Sequence, residues 1–206
     1  MNPIKAEILK KLNSYPKEFA PLKESAMKYM SRCCIIDTND TVQIGHRPWV
    51  APYNYAISLF APAKKAWISN FQKRQGKKIP PIYQEFLLTI NGCFLYDFSM
   101  YGLPPSMQSS TPLLDRSTLQ CLDLDTANEH WICGYNVNNE KLLFGSRYYS
   151  DRESVGYFFE GKNTIQAFRK NGEMINEWLS FSDFLQQELL IAERMMIEET
   201  PEDWWD

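Results

Sequence analysis

Few residues in this chain have the types and spacing that chemistry needs. Asp123 and Asp125, in the run Leu-Asp-Leu-Asp, have the spacing of two carboxylates on one face of a strand, the kind of pair that acid/base work requires. The plainer reading is a solvent-facing strand edge with Leu122 and Leu124 turned inward, and it is the one adopted here. His46 and His130 are the only histidines, and the five cysteines stand at 33, 34, 93, 121 and 133 with no C-x-x-C pair. That spacing fits neither a disulfide framework nor a zinc site, so free buried thiols are expected. Glu129-His130-Trp131 comes nearest to a ligand group, but strand neighbours point to opposite faces, so Glu129 and His130 would not converge. None of the nine glycines forms a dinucleotide or phosphate-loop pattern, and no serine-hydrolase elbow occurs. A cysteine nucleophile would need one of two histidines brought from elsewhere in the chain. The expectation is a protein with no catalytic centre, no metal and no cofactor.

Charge is unevenly spread. Residues 1–90 hold 14 Lys and Arg against 6 Asp and Glu, a net +8, while residues 91–206 hold 8 against 19, a net −11. Such asymmetry points to a charged partner. Lys64, Lys65, Lys73, Arg74, Lys77 and Lys78 read as the outer face of a helix. No arginines interleave with stacking aromatics, so direct nucleic-acid binding is not expected. No segment reaches the roughly 18 uninterrupted apolar residues of a membrane helix. The N-terminus mixes charge with helical periodicity and lacks a signal peptide's apolar stretch, so a cytoplasmic protein is expected.

The elements that must position these residues follow from periodicity. Residues 3–13 and about 19–31 read as amphipathic helices, "CCIID" as a brief strand and "RPWVAPYNYA" as irregular chain. A helix runs from about Ala61 to Gln75, with Gly76 just past its end. The next carries Tyr83, Phe86, Leu87 and Ile90 at i, i+3, i+4 and i+7, with Pro80-Pro81 at its start and Asn91-Gly92 as its C-cap, Gly92 being left-handed. "GCFLYDF", "LQCLDLD", "EHWICGYNV", "KLLFGSRYY", "SVGYFFEG" and "TIQAFRK" read as strands, residues 107–118 as an exposed loop and Asn171-Gly172 as a hairpin turn. Ser180, with Asp183 three residues on, starts a closing helix. The chain is therefore read as α+β, with N-terminal helices, a central and mostly antiparallel twisted sheet, and a C-terminal helix. Residues 1–55 form an N-terminal helical extension packed on the core, 56–195 the main domain, and 196–206 an acidic, aromatic tail.

"IPPIYQEFLLTING" at 79–92 resembles the hallmark segment of the SUKH superfamily, also called the Smi/Knr family. Three further pieces follow the family order: the preceding helix with Phe71 and Gly76, "LLFGS" at 142–146, and "WLSFSDFLQQEL" at 178–189. The similarity spans about residues 58–193, and its motif positions here are Pro80, Tyr83, Phe86, Leu87, Asn91, Gly92, Gly145, Trp178, Phe181 and Phe184. The resemblance implies an α+β fold without a catalytic centre. In bacteria it implies chiefly an immunity protein that neutralises a cognate toxin, often a nuclease or deaminase, in the cytoplasm. Regulatory and scaffolding modules of the same family are the alternative. The chain departs from the pattern in its extra N-terminal residues and in "SRYYSDRESVGYF" after Gly145, where partner-specific contacts would lie.

Toxin nucleases are commonly basic, so an acidic face would steer encounter, and exposed rings would anchor the complex. Asp123, Asp125, Glu129, Trp131, Tyr148, Tyr149, Asp151 and Glu153 are the expected contacts with a basic protein toxin.

Overall fold

Apolar residues recurring every three to four positions open the chain as two short helices. In the computed structural model, which describes residues 2–51, 54–103, 121–150 and 153–198, α1 (Pro3–Asn13) is capped by Asn2, whose side chain accepts the Ile4 N–H at 2.9 Å. A 3-10 turn at Lys17–Phe19 leads into α2 (Ala20–Lys28). Ile8, Leu12, Phe19, Leu22 and Ala26 are buried.

Among the described residues nine strands form one sheet in chain order, each antiparallel to the next. They are β1 (Cys34–Ile36), β2 (Val42–His46), β3 (Tyr55–Leu59), β4 (Cys93–Leu95), β5 (Phe98–Met100), β6 (Leu142–Ser150), β7 (Glu153–Glu160), β8 (Thr164–Arg169) and β9 (Met174–Trp178). Helices α3 (Lys65–Gln75) and α4 (Pro81–Thr89) connect β3 to β4. Helix α5 (Leu124–Glu129) and a 3-10 turn at Trp131–Gly134 precede β6, and α6 (Phe181–Glu198) closes the chain. The fold is α+β, with N-terminal helices, an antiparallel sheet and a C-terminal helix. The first 55 residues supply β1 and β2 as well as helices, so the sheet continues into them.

The core lies where α4 and α6 cover β5–β9. Tyr83 and Phe86 of α4, Phe144 of β6, Tyr157 and Phe159 of β7, and Phe181 and Phe184 of α6 meet ring to ring at 4.3–6.4 Å. Phe19 joins them, edge-on to Phe86 and Phe181. Burying each such ring contributes on the order of 1.5–3 kcal/mol. Tyr83 is fully buried, and its hydroxyl donates to the carbonyls of Tyr101 (2.5 Å) and Phe144 (3.0 Å), which removes the cost of a stranded polar group. Trp178 donates from Nε1 to Gln187 Oε1 at 2.8 Å.

An ion pair crosses this core. Arg147 Nε donates to Glu188 Oε2 at 2.8 Å, with each side chain only 3% exposed, and the Tyr157 hydroxyl donates to the same oxygen. Burial opposes the Arg147 charge, but Tyr157 and Glu188 raise its pKa on balance. The pair fixes α6 against β6 and β7.

Several sequence expectations are met. Gly172 has φ +86° in the β8–β9 hairpin, where Arg169 N–H donates to the Glu173 carbonyl at 2.9 Å. Ser180 Oγ accepts the Asp183 N–H at 3.1 Å. Others are corrected. α3 begins at Lys65, not near Ala61, because Ala63 N–H instead donates to the Leu87 carbonyl of α4 (2.8 Å), which holds this stretch extended. "YAISL", expected to be irregular, is strand β3. Gly92 does take a positive φ of +84°, yet α4 has already ended at Thr89 with Ile90 extended. The extended Ile90 sends Asn91 into the interior, where its amide donates to the Leu103 carbonyl (2.8 Å) and accepts the Leu103 N–H (2.7 Å). A Cβ on Gly92 would stand 2.7 Å from Cys121 Cβ, so the pair is a buried turn into β4 rather than a helix cap. Residues 107–118 lie outside the described residues, as do Asp151 and 199–206 of the tail.

Candidate protein-binding cleft

"LQCLDLD" and "EHWICGYNV", expected to be strands, are where the structure differs most. Gly102 pairs with Asp123 in a short parallel bridge, Gly102 N–H donating to Leu122 and Leu124 N–H donating to Gly102 (both 2.8 Å). The chain then turns into α5. Asp123 is its N-cap, accepting Asp125 N–H at 2.9 Å and the Thr126 hydroxyl at 2.8 Å. The alternating leucines are half of a helical pattern: Leu124, Ala127 and Asn128 at i, i+3 and i+4 are buried. Asn128 then fastens the helix to β6, donating to the Leu143 carbonyl (2.8 Å) and accepting its N–H (3.1 Å).

After the 3-10 turn the chain lies flat on the sheet, on the side of β7 opposite the α4/α6 core. A Cβ on Gly156 would stand 2.7 Å from the Tyr135 ring, so only glycine lets that ring down. Tyr135 packs edge-on to Phe158, and its hydroxyl lies 3.1 Å from Ser154 Oγ. Between this segment and the β6–β7 hairpin opens a cleft of about 390 Å³. Tyr101, Trp131 and Tyr135 wall it, with Ser146, Ser154, His130 and Lys170 supplying polar groups. Trp131 stands edge-on to Tyr101 with ring centroids 5.4 Å apart, yet remains 38% exposed.

The expected contact residues separate here. Asp123 is a helix cap. Asp125 is held by Arg74, which donates to Oδ2, and by Gln75 at 3.0 Å, so α3 fixes α5 through it. Neither is half of a carboxylate pair on a strand. Glu129 and Trp131 are exposed beside the cleft. Glu129 and His130, expected to diverge, approach to 4.0 Å because they end a helix instead of alternating along a strand. Tyr148, Tyr149 and Glu153 lie on the β6 and β7 backbone next to the cleft-lining strand positions, with Tyr148 in register with Ser154. Asp151 falls outside the described residues. Tyr101, Tyr135, Ser146, Ser154 and Lys170 were missed. Only Gly156 inside a strand signalled a close approach, and it does not name the ring that makes it.

The charge asymmetry is partly spent inside the chain. Asp125 pairs with Arg74, and Glu193 pairs with Lys28 at 2.8 Å while accepting the Tyr29 hydroxyl at 2.9 Å, so acids of one half hold bases of the other. Lys77, expected on an outer helix face, donates to Asn128 (3.1 Å) and to the Lys141 carbonyl (2.9 Å).

Cys34, Cys93 and Cys121 are buried as expected, whereas Cys33 and Cys133 are exposed; burial, with Asp123 adding, pushes Cys121 up to about 12 and also raises Cys93, which makes these two poor nucleophiles. Among the described residues no three His, Cys, Asp or Glu side chains converge to hold a metal ion, and no helix is long and apolar enough to cross a membrane.

No curated protein sequence matches the chain at a significant level. The sequence model of the SMI1 / KNR4 family (SUKH-1) matches residues 62–187, the stretch from the approach to α3 into α6. That match spans more than half of the chain and includes every motif position of the aromatic core, and the protein belongs to the SMI1 / KNR4 family (SUKH-1).

Proposed function

We propose that this is a non-enzymatic binding protein that neutralises a cognate protein toxin, with the Trp131 cleft as its contact surface. One observation carries the reading: a tryptophan left exposed at the mouth of an aromatic cleft, on the side of the sheet that the family motif does not build. Tryptophans in such positions dominate binding energy because they displace water over a large area at low cost in entropy. Family membership supports a protein partner and is consistent with an immunity role. A basic toxin would gain from the acidic surface that remains, Glu129 included. Asp125 and Glu193 are already engaged within the chain, so steering contributes less than composition implies and the rings carry more of the affinity.

The test is co-expression with a toxin-domain protein encoded beside this gene. Rescue of growth by the wild-type chain, lost in Trp131→Ala at equal soluble expression, is the expected result. Full lethality despite soluble wild-type protein overturns the reading for that toxin.

A further inference from the structure

We propose that the Trp131 cleft receives an acidic side chain, a glutamate or aspartate beside an apolar residue on a loop of the partner protein. The inference rests on the cleft being the contact surface and adds what enters it. The body of the cleft is flat and apolar, walled by Tyr101, Trp131 and Tyr135. Its hydroxyls can donate or accept, and its one fixed charge among the described residues is a cation. Ser146 and Ser154 present hydroxyls and His130 an imidazole, and the fixed charge at its lining is Lys170, with no carboxylate and no side-chain amide among the described lining residues. Glu129, outside the lining, approaches His130 at 4.0 Å. Lys170 makes no ion pair among the described residues, whereas Lys141, Arg147 and Arg169 of the same half are each paired with an acid. A cationic side chain entering here would be repelled by Lys170, while a carboxylate would be attracted to it and could accept from the Ser146 and Ser154 hydroxyls. The chain is acidic overall, with a net charge of −3, so a cleft whose described lining carries a lysine and no carboxylate is a local reversal that selects an acidic anchor even on a partner that is basic elsewhere.

The probe is a blocked dipeptide, acetyl-phenylalanyl-glutamate amide, compared with its glutamine counterpart, which has the same shape without the charge. Binding is followed by titration calorimetry and by the shift of the Trp131 indole N–H resonance. The glutamate peptide should bind about fivefold more tightly than the glutamine one, the most an exposed ion pair gives, and Lys170→Met should remove that difference without changing Tm. Equal affinity for the two peptides, tighter binding of the lysine analogue, or no movement of the Trp131 resonance would overturn the proposal. Phenylacetate binding as tightly as the peptide would also overturn it, by making the cleft a small-molecule site. Toxin rescue that depends on Trp131 without glutamate selectivity sinks this inference and leaves the function standing. Selectivity without any toxin rescue does the reverse.

Discussion

The two sides of β6 and β7 differ in what they are made of. On one side Phe144, Tyr157 and Phe159 meet α4 and α6 in a closed array of rings with every hydroxyl and charge partnered. On the other, Gly156, Ser146 and Ser154 lie under a short helix and a 3-10 turn that leave a cleft and an exposed tryptophan. Nearly all the residues that mark the family lie on the first side or, as with Asn91 and Gly92, in the turn that feeds it. They specify how the chain folds and are silent about what it binds. Ser146 apart, the second side is built from residues outside the pattern, which is where one member can differ from another without unfolding.

If that contrast is right, damage to the closed side is read in stability. The largest effect is expected from Glu188→Ala, which strands the Arg147 charge in the core and should cost about 3–5 kcal/mol in urea unfolding. A loss under about 1 kcal/mol would mean that solvent reaches the pair and the side is not closed. Replacing Arg147→Met and Glu188→Leu together with Tyr157→Phe should recover most of the loss, because the desolvation cost disappears along with the attraction and no hydroxyl is left stranded.

Tyr83→Phe comes next, at about 1–3 kcal/mol, since it leaves the Tyr101 and Phe144 carbonyls without their shared donor. The same side predicts a pH response. Burial raises the pKa of Tyr83 and of Tyr157, where Glu188 adds to the effect, so folded protein holds these protons more tightly than unfolded chain. The stability they contribute is therefore full below the ordinary tyrosine value of about 10 and is lost as pH rises above it. Tm measured from pH 8 to 11 should hold and then fall beyond that point. A flat Tm through pH 11 would contradict the burial argument.

Changes on the open side should hardly register in stability. Trp131→Ala is expected to cost within about 1 kcal/mol of folding while weakening toxin binding by about 2 kcal/mol or more. A large fall in Tm would show the ring to be structural and dissolve the contrast. Asp125→Asn should be smallest, at most about 1 kcal/mol, because Arg74 is 61% exposed and its ion pair is screened by solvent. If it instead abolishes binding, the expectation that Asp125 is a contact regains its force.

Much of the closed side was legible in the sequence. Tyr83, Phe86, Leu87 and Ile90 announce a helix by their spacing alone, Ser180 and Asp183 announce the start of the next, and Asn171-Gly172 announces a hairpin, because each depends on neighbours within a few residues. The open side was misread where local patterns are ambiguous. Leu122-Asp123-Leu124-Asp125 alternates as a strand would, and only the Asp123 cap and the Asn128 bonds to β6 choose a helix.

The sequence by itself determined the class of fold, the family and the lack of any motif for nucleotide or metal chemistry, since these rest on composition, short-range periodicity and local pattern. Tertiary structure alone decided that Asp123 and Asp125 hold α5 in place, that acids of one half neutralise bases of the other, and that Tyr101, Trp131, Tyr135 and Lys170 share one cleft. The physical reason is that ion pairing and cleft formation depend on distances between residues up to 165 positions apart in the chain, as Lys28 and Glu193 are, and nothing local encodes such a distance.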